Sequence, residues 1–398
     1  MRISTAQLHQ TALTGMLDQQ SRLSKIQMQI ASGKKIQSAA DDPSGASSTL
    51  QLTQAVAITE QYQKNGDLAR DRISQEEQSL NQANIVLDRV RELTLQGNNG
   101  TFGAKDRQMI VAELTQRRDE LLAFANTKDA SGEYLFSGYQ SHTQPFSQNG
   151  TGAVVYNGDD GQRLVQIGHD RQLAVTDSGN KVFRGISMGN GDFVTAGGSA
   201  NTGSGIITAG RVTDATQYHG ERYTLTFTAS DAYEVRDASG ALVTSDTYVA
   251  GSDVSFSGIQ FGLSGTPALG DTFTVVPSTK QDVFSVIQST IDALSTSDDT
   301  PQGRANRANL LGQAINGIDQ SQEKIRGFQA QVGARLNALD SQTDVNDSQK
   351  LQFESTISSL NDLDYADAIT KLNQYMVGLQ AAQQSYSRIQ GLSLFNYL

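Results

Sequence analysis

Few side chains in this sequence are of the types, and at the spacings, that do chemistry. The four histidines, His9, His142, His169 and His219, lie far apart, and no two fall within helical reach of each other. A His-Glu-x-x-His zinc site on one helix face is therefore absent. The chain has no cysteine, which removes thiolate nucleophiles, thiolate metal ligands and disulfides together. Gly185-Ile186-Ser187-Met188-Gly189 has the Gly-x-Ser-x-Gly spacing of a nucleophile elbow, but an elbow must open a helix and Asn190-Gly191 follows at once. A turn is expected there instead. Asn157-Gly158-Asp159-Asp160-Gly161 concentrates carboxylates without the alternating ligands and closing bidentate glutamate of a calcium loop, and reads as a hairpin tip. Gly203-Ser204-Gly205 reads as a flexible turn, and Lys34-Lys35 as a solvated pair beside a glycine turn. No phosphate-cradling or dinucleotide-binding loop is present. No catalytic, metal or cofactor-binding residue is expected, and the chain does not read as an enzyme.

The elements around these residues are long and periodic. The chain has 398 residues and a formal net charge of −11, which argues against nucleic acid or an anionic membrane surface as the main partner. No stretch approaches the roughly 18 apolar residues of a membrane span. Residues 1–30 lack the apolar core and small-residue cleavage site of a secretory signal peptide, so none is expected, and on these grounds alone the chain reads as cytoplasmic. Most glycines lie between residues 141 and 280, and most glutamines lie outside that stretch. A β-rich insertion between helical arms is the predicted organisation.

The arms carry heptads. Leu311, Ile315, Ile318, Gln322, Ile325, Gln329, Val332, Leu336 and Leu339 alternate steps of four and three without a slip, predicting a helix over about 304–343 in which the two glutamines could set register. Ala368, Leu372, Tyr375, Leu379, Ala382, Tyr386 and Ile389 repeat the pattern near the chain's end. Ile73, Leu80, Ala83, Leu87 and Val90 do so on the other arm, and Ile110, Leu114, Leu121 and Phe124 line a further helix. Residues 13–30, with Leu17, Leu23, Ile26 and Ile30, are looser but amphipathic. Asp42 can cap a helix that Pro43 opens.

The middle alternates as strands do. Val154–Tyr156 and Leu164–Ile167 flank the turn at 157–161 as one expected hairpin, and Ala232–Val235 with Ala241–Val243 flank Asp237-Ala238-Ser239-Gly240 as another. Tyr223, Leu225 and Phe227 point to one face of a strand, with Thr224, Thr226 and Thr228 on the other. The predicted fold is mainly α, with arms from both chain ends forming an elongated antiparallel bundle or coiled coil and a central β-rich inserted domain. Expected boundaries are 1–42 with 362–398 for a terminal coiled-coil domain, 43–140 with 281–361 for a helical rod, and 141–280 for the insertion.

Specific runs then resemble the flagellin family. They are Met1-Arg2-Ile3-Ser4-Thr5, Gln29-Ile30-Ala31-Ser32-Gly33-Lys34-Lys35-Ile36 and Ala40-Asp41-Asp42-Pro43-Ser44-Gly45-Ala46 at the start. Leu87-Asp88-Arg89-Val90-Arg91-Glu92-Leu93 with Asn99-Gly100-Thr101 follows, and Asp362-Leu363-Asp364-Tyr365-Ala366-Asp367-Ala368, Leu379-Gln380-Ala381-Ala382-Gln383 and Leu392-Ser393-Leu394-Phe395 close the chain. The opening Arg-Ile-Ser-Thr, together with Gly132–Gly138 followed by Thr143-Gln144-Pro145-Phe146, is similar to the hook-associated branch of that family rather than to filament subunits. So are Gly265-Thr266-Pro267 and Gly270-Asp271-Thr272-Phe273.

The resemblance implies a non-enzymatic subunit outside the cell, placed between the first hook-associated protein and flagellin. It also implies export through the flagellar type III apparatus without a cleaved signal, and a chaperone site at the C-terminal helix. Its partners would be copies of itself, the first hook-associated protein, flagellin and that chaperone, with no nucleic acid and no membrane insertion. The terminal stripes are expected to find their partners only between copies, which makes Leu17, Leu23, Ile26, Ile30, Leu372, Leu379, Tyr386 and Ile389 the expected assembly interface. By resemblance, Arg89, Leu93 and Glu113 would lie on a subunit contact or an innate-immune-receptor contact. Two other readings stay open: flagellin itself, and a surface module that binds glycans through Tyr156, Tyr218, Tyr223 and Tyr233.

Overall fold

The structure, a computed structural model, describes residues 5–150, 152–296 and 298–391. Three helices come first: α1 (Thr5–Ser32), α2 (Pro43–Gly97) and α3 (Ala104–Ala125). Four short strands follow, β1 (Phe146–Gln148), β2 (Val154–Tyr156), β3 (Leu164–Gly168) and β4 (Arg171–Ala174), then the one-turn helix α4 (Gly179–Phe183). The central strands are β5 (Ile186–Ser187), β6 (Phe193–Gly197), β7 (Ile206–Ile207), β8 (Arg211–Val212), β9 (Tyr223–Ala229), β10 (Ala232–Arg236), β11 (Leu242–Thr247), β12 (Asp253–Phe256), β13 (Ile259–Ser264), β14 (Thr272–Pro277) and β15 (Lys280–Gln281). The chain then returns through α5 (Val283–Ser295), α6 (Pro301–Asn361) and α7 (Tyr365–Gly391).

These elements form two compact units, one taking in Met1–Lys64 and Ser341–Leu398, the other Asn65–Asp340. Both units use parts of α2 and α6. At 61 residues, α6 runs well beyond the expected 304–343, because neither glycine nor proline follows Leu339 before the helix ends at Asn361.

In the Asn65–Asp340 unit the predicted stripes meet. Ile73, Leu80, Ala83, Leu87 and Val90 of α2 and Leu311, Ile318, Ile325, Val332 and Leu339 of α6 are all buried in one hydrophobic core, which Ile110, Leu114 and Leu121 of α3 join. The two long helices run antiparallel here, and two polar pairs, each with one buried member (Asn84 and Gln322), fix their register. Asn84 donates to Gln329 at 2.6 Å and Gln322 donates to Asp88 at 2.6 Å. A slip by one turn would leave the buried Asn84 and Gln322 amides without these partners, so they favour one alignment.

The same core takes in Phe146, Ile167, Val175, Phe183 and Ile186. Residues 141–186 therefore belong to the helical body, and the expected boundary at 141 does not coincide with a boundary between cores. A second core begins at Phe193. It lies between the five-stranded antiparallel sheet β11-β10-β9-β14-β6 and the smaller sheet β12-β13-β7, with β8 also on β13. Tyr223, Leu225 and Phe227 of β9 face into it, as their alternation predicted. The hairpin expected at 232–243 forms as β10 and β11.

The other expected hairpin does not form. β2 pairs with β1 and β3 with β4. The loop between β2 and β3 folds back instead: the Tyr156 hydroxyl donates to the carbonyls of Phe136 and Asp159, at 3.0 and 2.7 Å. Asp159 accepts the amides of Tyr139 and Gly161, and Asp160 accepts from Ser178 and Asn180. Its carboxylates are consumed in holding a turn.

Candidate assembly site

The terminal unit pairs the two ends of the chain. Gly33, at φ 69°, ends α1 in the left-handed conformation that glycine adopts without strain. The backbone beyond it hydrogen-bonds to the α6–α7 connection, Lys35 N to the Asn361 carbonyl at 2.7 Å and Leu363 N to the Gly33 carbonyl at 3.0 Å. Asp364 caps α7 by accepting the Ala366 amide at 2.9 Å, and Asp42 caps α2 by accepting the Gly45 amide at 2.9 Å. From this anchor α1 and α7 lie antiparallel. The rings of His9 and Tyr386 meet edge to face, 5.8 Å apart, and Gln19 approaches Gly378.

Along that seam Ile26 and Ala368 are buried, while Leu23, Ile30, Leu372, Tyr375, Leu379, Ala382 and Tyr386 are half-buried. This corrects one expectation. The terminal stripes do have partners within the chain, because the heptads of the two ends are complementary and the α6–α7 connection sets them side by side. One face remains uncovered. Leu17 is 58% and Val377 64% exposed, and Leu13, Met28, Ile369 and Met376 share that exposure. The Ile389 side chain lies outside the described residues, as do the quoted runs Met1–Ser4 and Leu392–Phe395.

The second expected contact, on α2 and α3, is a charge ladder. Arg89 reaches across to Glu113 with two hydrogen bonds, at 2.8 and 3.1 Å, and to Glu92 at 2.7 Å. Arg117 continues the ladder, 3.8 Å from Glu113 and 2.7 Å from Glu120. The guanidinium of Arg89 lowers the Glu113 carboxyl, and the two carboxylates raise Arg89 in turn. All of these groups reach solvent. Ile85 and Met109, one helical turn before Arg89 and Glu113, are exposed beside them. Leu93 is different: at 1% exposure it packs in the helical core, since it lies on the inward stripe of α2. It is not a surface contact of the folded chain.

The remaining candidates resolve as structure. Ser187 lies in β5 and accepts from Lys280 at 2.6 Å, so no helix opens behind it. Asp271 is buried and accepts the amides of Thr202, Gly203 and Ala268, which pins the glycine-rich turn. Tyr223 and Tyr233 are buried in the second core, and the Tyr156 ring packs against Phe146 at the edge of the first, so these three are engaged in packing rather than presented to sugars. Among the described residues no group of three His, Asp or Glu side chains could hold a metal ion, and no helix is long and apolar enough to cross a membrane.

One cluster escaped the sequence reading. Glu76 replaces an apolar residue in the α2 stripe between Ile73 and Leu80, and is fully buried beside Asp177 and Arg335. Its signal was the single carboxylate at a position where the three–four spacing asks for a hydrocarbon.

Helical arms from both chain ends, a β-rich middle and apolar residues left uncovered on the terminal pair fit a structural subunit. Comparison with known proteins specifies it. Residues 3–141 match the bacterial flagellin N-terminal helical region and residues 315–398 the C-terminal helical region. Residues 197–277 match the D2-like domain of flagellar hook-associated protein 1. The crystal structure of FlgL from Xanthomonas campestris is 34% identical and covers 77% of this chain and 99% of its own, with a TM-score of 0.73. Flagellar hook-associated protein 3 from Legionella pneumophila is 31% identical, covering 78% of this chain and 98% of its own at a TM-score of 0.74. The Escherichia coli flagellar hook-associated protein 3 is 24% identical over 99% of both chains. The chain belongs to the flagellar hook-associated protein 3 family, within the flagellins.

Proposed function

We propose that this protein joins the flagellar hook to the flagellin filament as a structural subunit. The observation that carries the reading is the half-covered terminal pair, in which α1 and α7 bury one face against each other and leave Leu13, Leu17, Met28, Ile369, Met376 and Val377 open to solvent. An apolar face of that extent on paired heptad helices is covered when like helices from other copies pack against it. Leu23, Ile26, Ile30, Leu372, Leu379 and Tyr386 set the shape of the pair, and Leu17 and Val377 make the contact between copies. The Arg89–Glu113 ladder with Ile85 and Met109 supplies a second subunit contact. Copies meet the first hook-associated protein on one side and flagellin on the other. The chain reaches that place outside the cell through the flagellar type III apparatus, escorted by a chaperone on α7. The absence of cysteine suits passage as an unfolded chain, since no disulfide need re-form outside.

The test is deletion of the gene followed by electron microscopy of the cells and analysis of the medium. Hooks without filaments, with flagellin lost to the medium, are expected. Normal filaments would overturn the junction reading.

A further inference from the structure

The buried cluster of Glu76, Asp177 and Arg335 has no part in assembly and an unbalanced charge. Glu76 of α2 is 0% exposed and Asp177, in the segment before α4, is 2% exposed. Arg335 of α6 donates to both oxygens of Asp177, at 2.8 and 2.9 Å, and Gln162 donates to the same carboxylate at 2.8 Å. Glu76 accepts only the Asp177 amide, at 3.2 Å on Oε1, while its Oε2 is buried and finds no donor. Two carboxylates thus share one guanidinium that Asp177 already occupies in bidentate fashion. An ionised Glu76 would be an uncompensated buried charge with an empty oxygen, a costly arrangement. A proton on Oε2 removes both faults, because the carboxyl then donates to the Asp177 carboxylate beside it.

We propose that Glu76 is protonated in the folded protein at neutral pH, forming a carboxyl–carboxylate pair with Asp177 that Arg335 clamps, so that closing the α2–α6 seam takes up a proton and alkaline pH loosens it. The other charged groups nearby leave this balance intact. Arg72, one turn earlier on α2, is engaged by Asp129 at 2.9 Å and by Glu133, and Arg163 is engaged by Glu133 at 2.8 Å. Ser79, one turn later, is neutral and bonds the Phe124 carbonyl of α3. Burial pushes the Glu76 carboxyl well above the usual carboxylate range, and Asp177 adds to the push against the pull of Arg335. The sign follows from linkage. A carboxyl raised on folding contributes most below its unfolded value, and that contribution drains as pH rises toward its folded value.

Glu76→Gln tests this on the full chain, since its amide keeps the acceptor for the Asp177 amide and gives the Asp177 carboxylate a permanent donor. Denaturant unfolding is followed from pH 5 to 9. The wild type is expected to lose up to about tenfold in folding equilibrium constant per pH unit relative to Glu76→Gln, as one proton requires. Parallel pH dependences in the two proteins would overturn the proposal. Carboxyl carbon-13 resonances of glutamates in the wild type give a readout that does not depend on the variant folding. One glutamate still at its protonated shift at pH 7 is expected, and a full set of ionised resonances would equally overturn it.

Discussion

The two units use parts of the same two long helices and end with different surfaces. In the Asn65–Asp340 unit, α2 and α6 are wrapped by α3, α5 and the β1–β4 segment, and their apolar residues close into a core. In the unit of the chain ends, among the described residues, the buried hydrophobic side chains are Ile26 and Ala368, while Leu17, Leu50, Leu351 and Val377 stand exposed. Helix propensity does not separate the two, since α2 and α6 are continuous through both. The number of covered faces does. A single chain completes the central unit, whereas the terminal unit is left with uncovered hydrocarbon, which the proposed assembly would bury against further copies.

That division breaks first at its strongest point. Leu87→Ala removes a fully buried side chain from the central core and should cost about 2–5 kcal/mol of stability, read as a lower denaturation midpoint. Leu379→Asp places a charge in the half-buried α1–α7 seam. It should lower the helicity of the terminal unit and abolish incorporation into hooks, while the unfolding transition of the central unit stays in place. Leu17→Asp, at an exposed site, should leave stability within about 0.5 kcal/mol and still block incorporation. Normal incorporation of either aspartate variant would mean that the terminal face is not what copies use.

Acid sharpens the comparison at the next level. Glu133 in the central unit is held by Arg163, Ser141 and Arg72, and Arg163 above all lowers its carboxyl to about 2. Because this folded value lies below that of the unfolded chain, the stabilisation is present above about pH 4.5 and drains as pH falls toward 2. Glu133→Gln should flatten the acid side of the stability curve by roughly 2 kcal/mol, measured by thermal unfolding across that window. The terminal unit has lowered carboxyls too, Asp41 held by Lys25 and Glu60 by Lys350, but they are exposed and salt screens them.

Legibility in the sequence followed the same division. The stripes of Ile73–Val90 and Leu311–Leu339 gave the central helices because each is a long, unbroken repeat that one partner satisfies. The alternation at Tyr223–Thr228 gave a strand for the same reason, a one-sided core. Which core Phe146, Ile167 and Phe183 enter was not legible, since glycine-rich composition marks local conformation and says nothing of which core a side chain enters. The two chain ends were expected together in a terminal coiled coil, but not that α1 and α7 would cover each other within one chain, because an amphipathic stripe does not say which copy supplies its partner. Glu76 was missed because a lone carboxylate in a stripe looks like noise until the core around it is seen.

The smallest effect concerns the charge ladder, where neighbouring positions on one helix divide as the two units do. Leu93 faces inward at 1% exposure and Arg89 faces out, 38% exposed, gripping Glu113. An exposed ion pair contributes little to a free chain, so Arg89→Ala should scarcely move the denaturation midpoint, and the cycle with Glu113→Ala should give a correspondingly small coupling. The ladder matters only if a second copy covers it, because desolvation strengthens charge pairs and makes an orphaned Glu113 costly. Arg89→Ala should therefore reduce incorporation by more than its effect on stability accounts for, and Ile85→Asp, beside it on the same exposed face, should do likewise. Equal, negligible effects of both on incorporation would confine the assembly surface to the terminal unit.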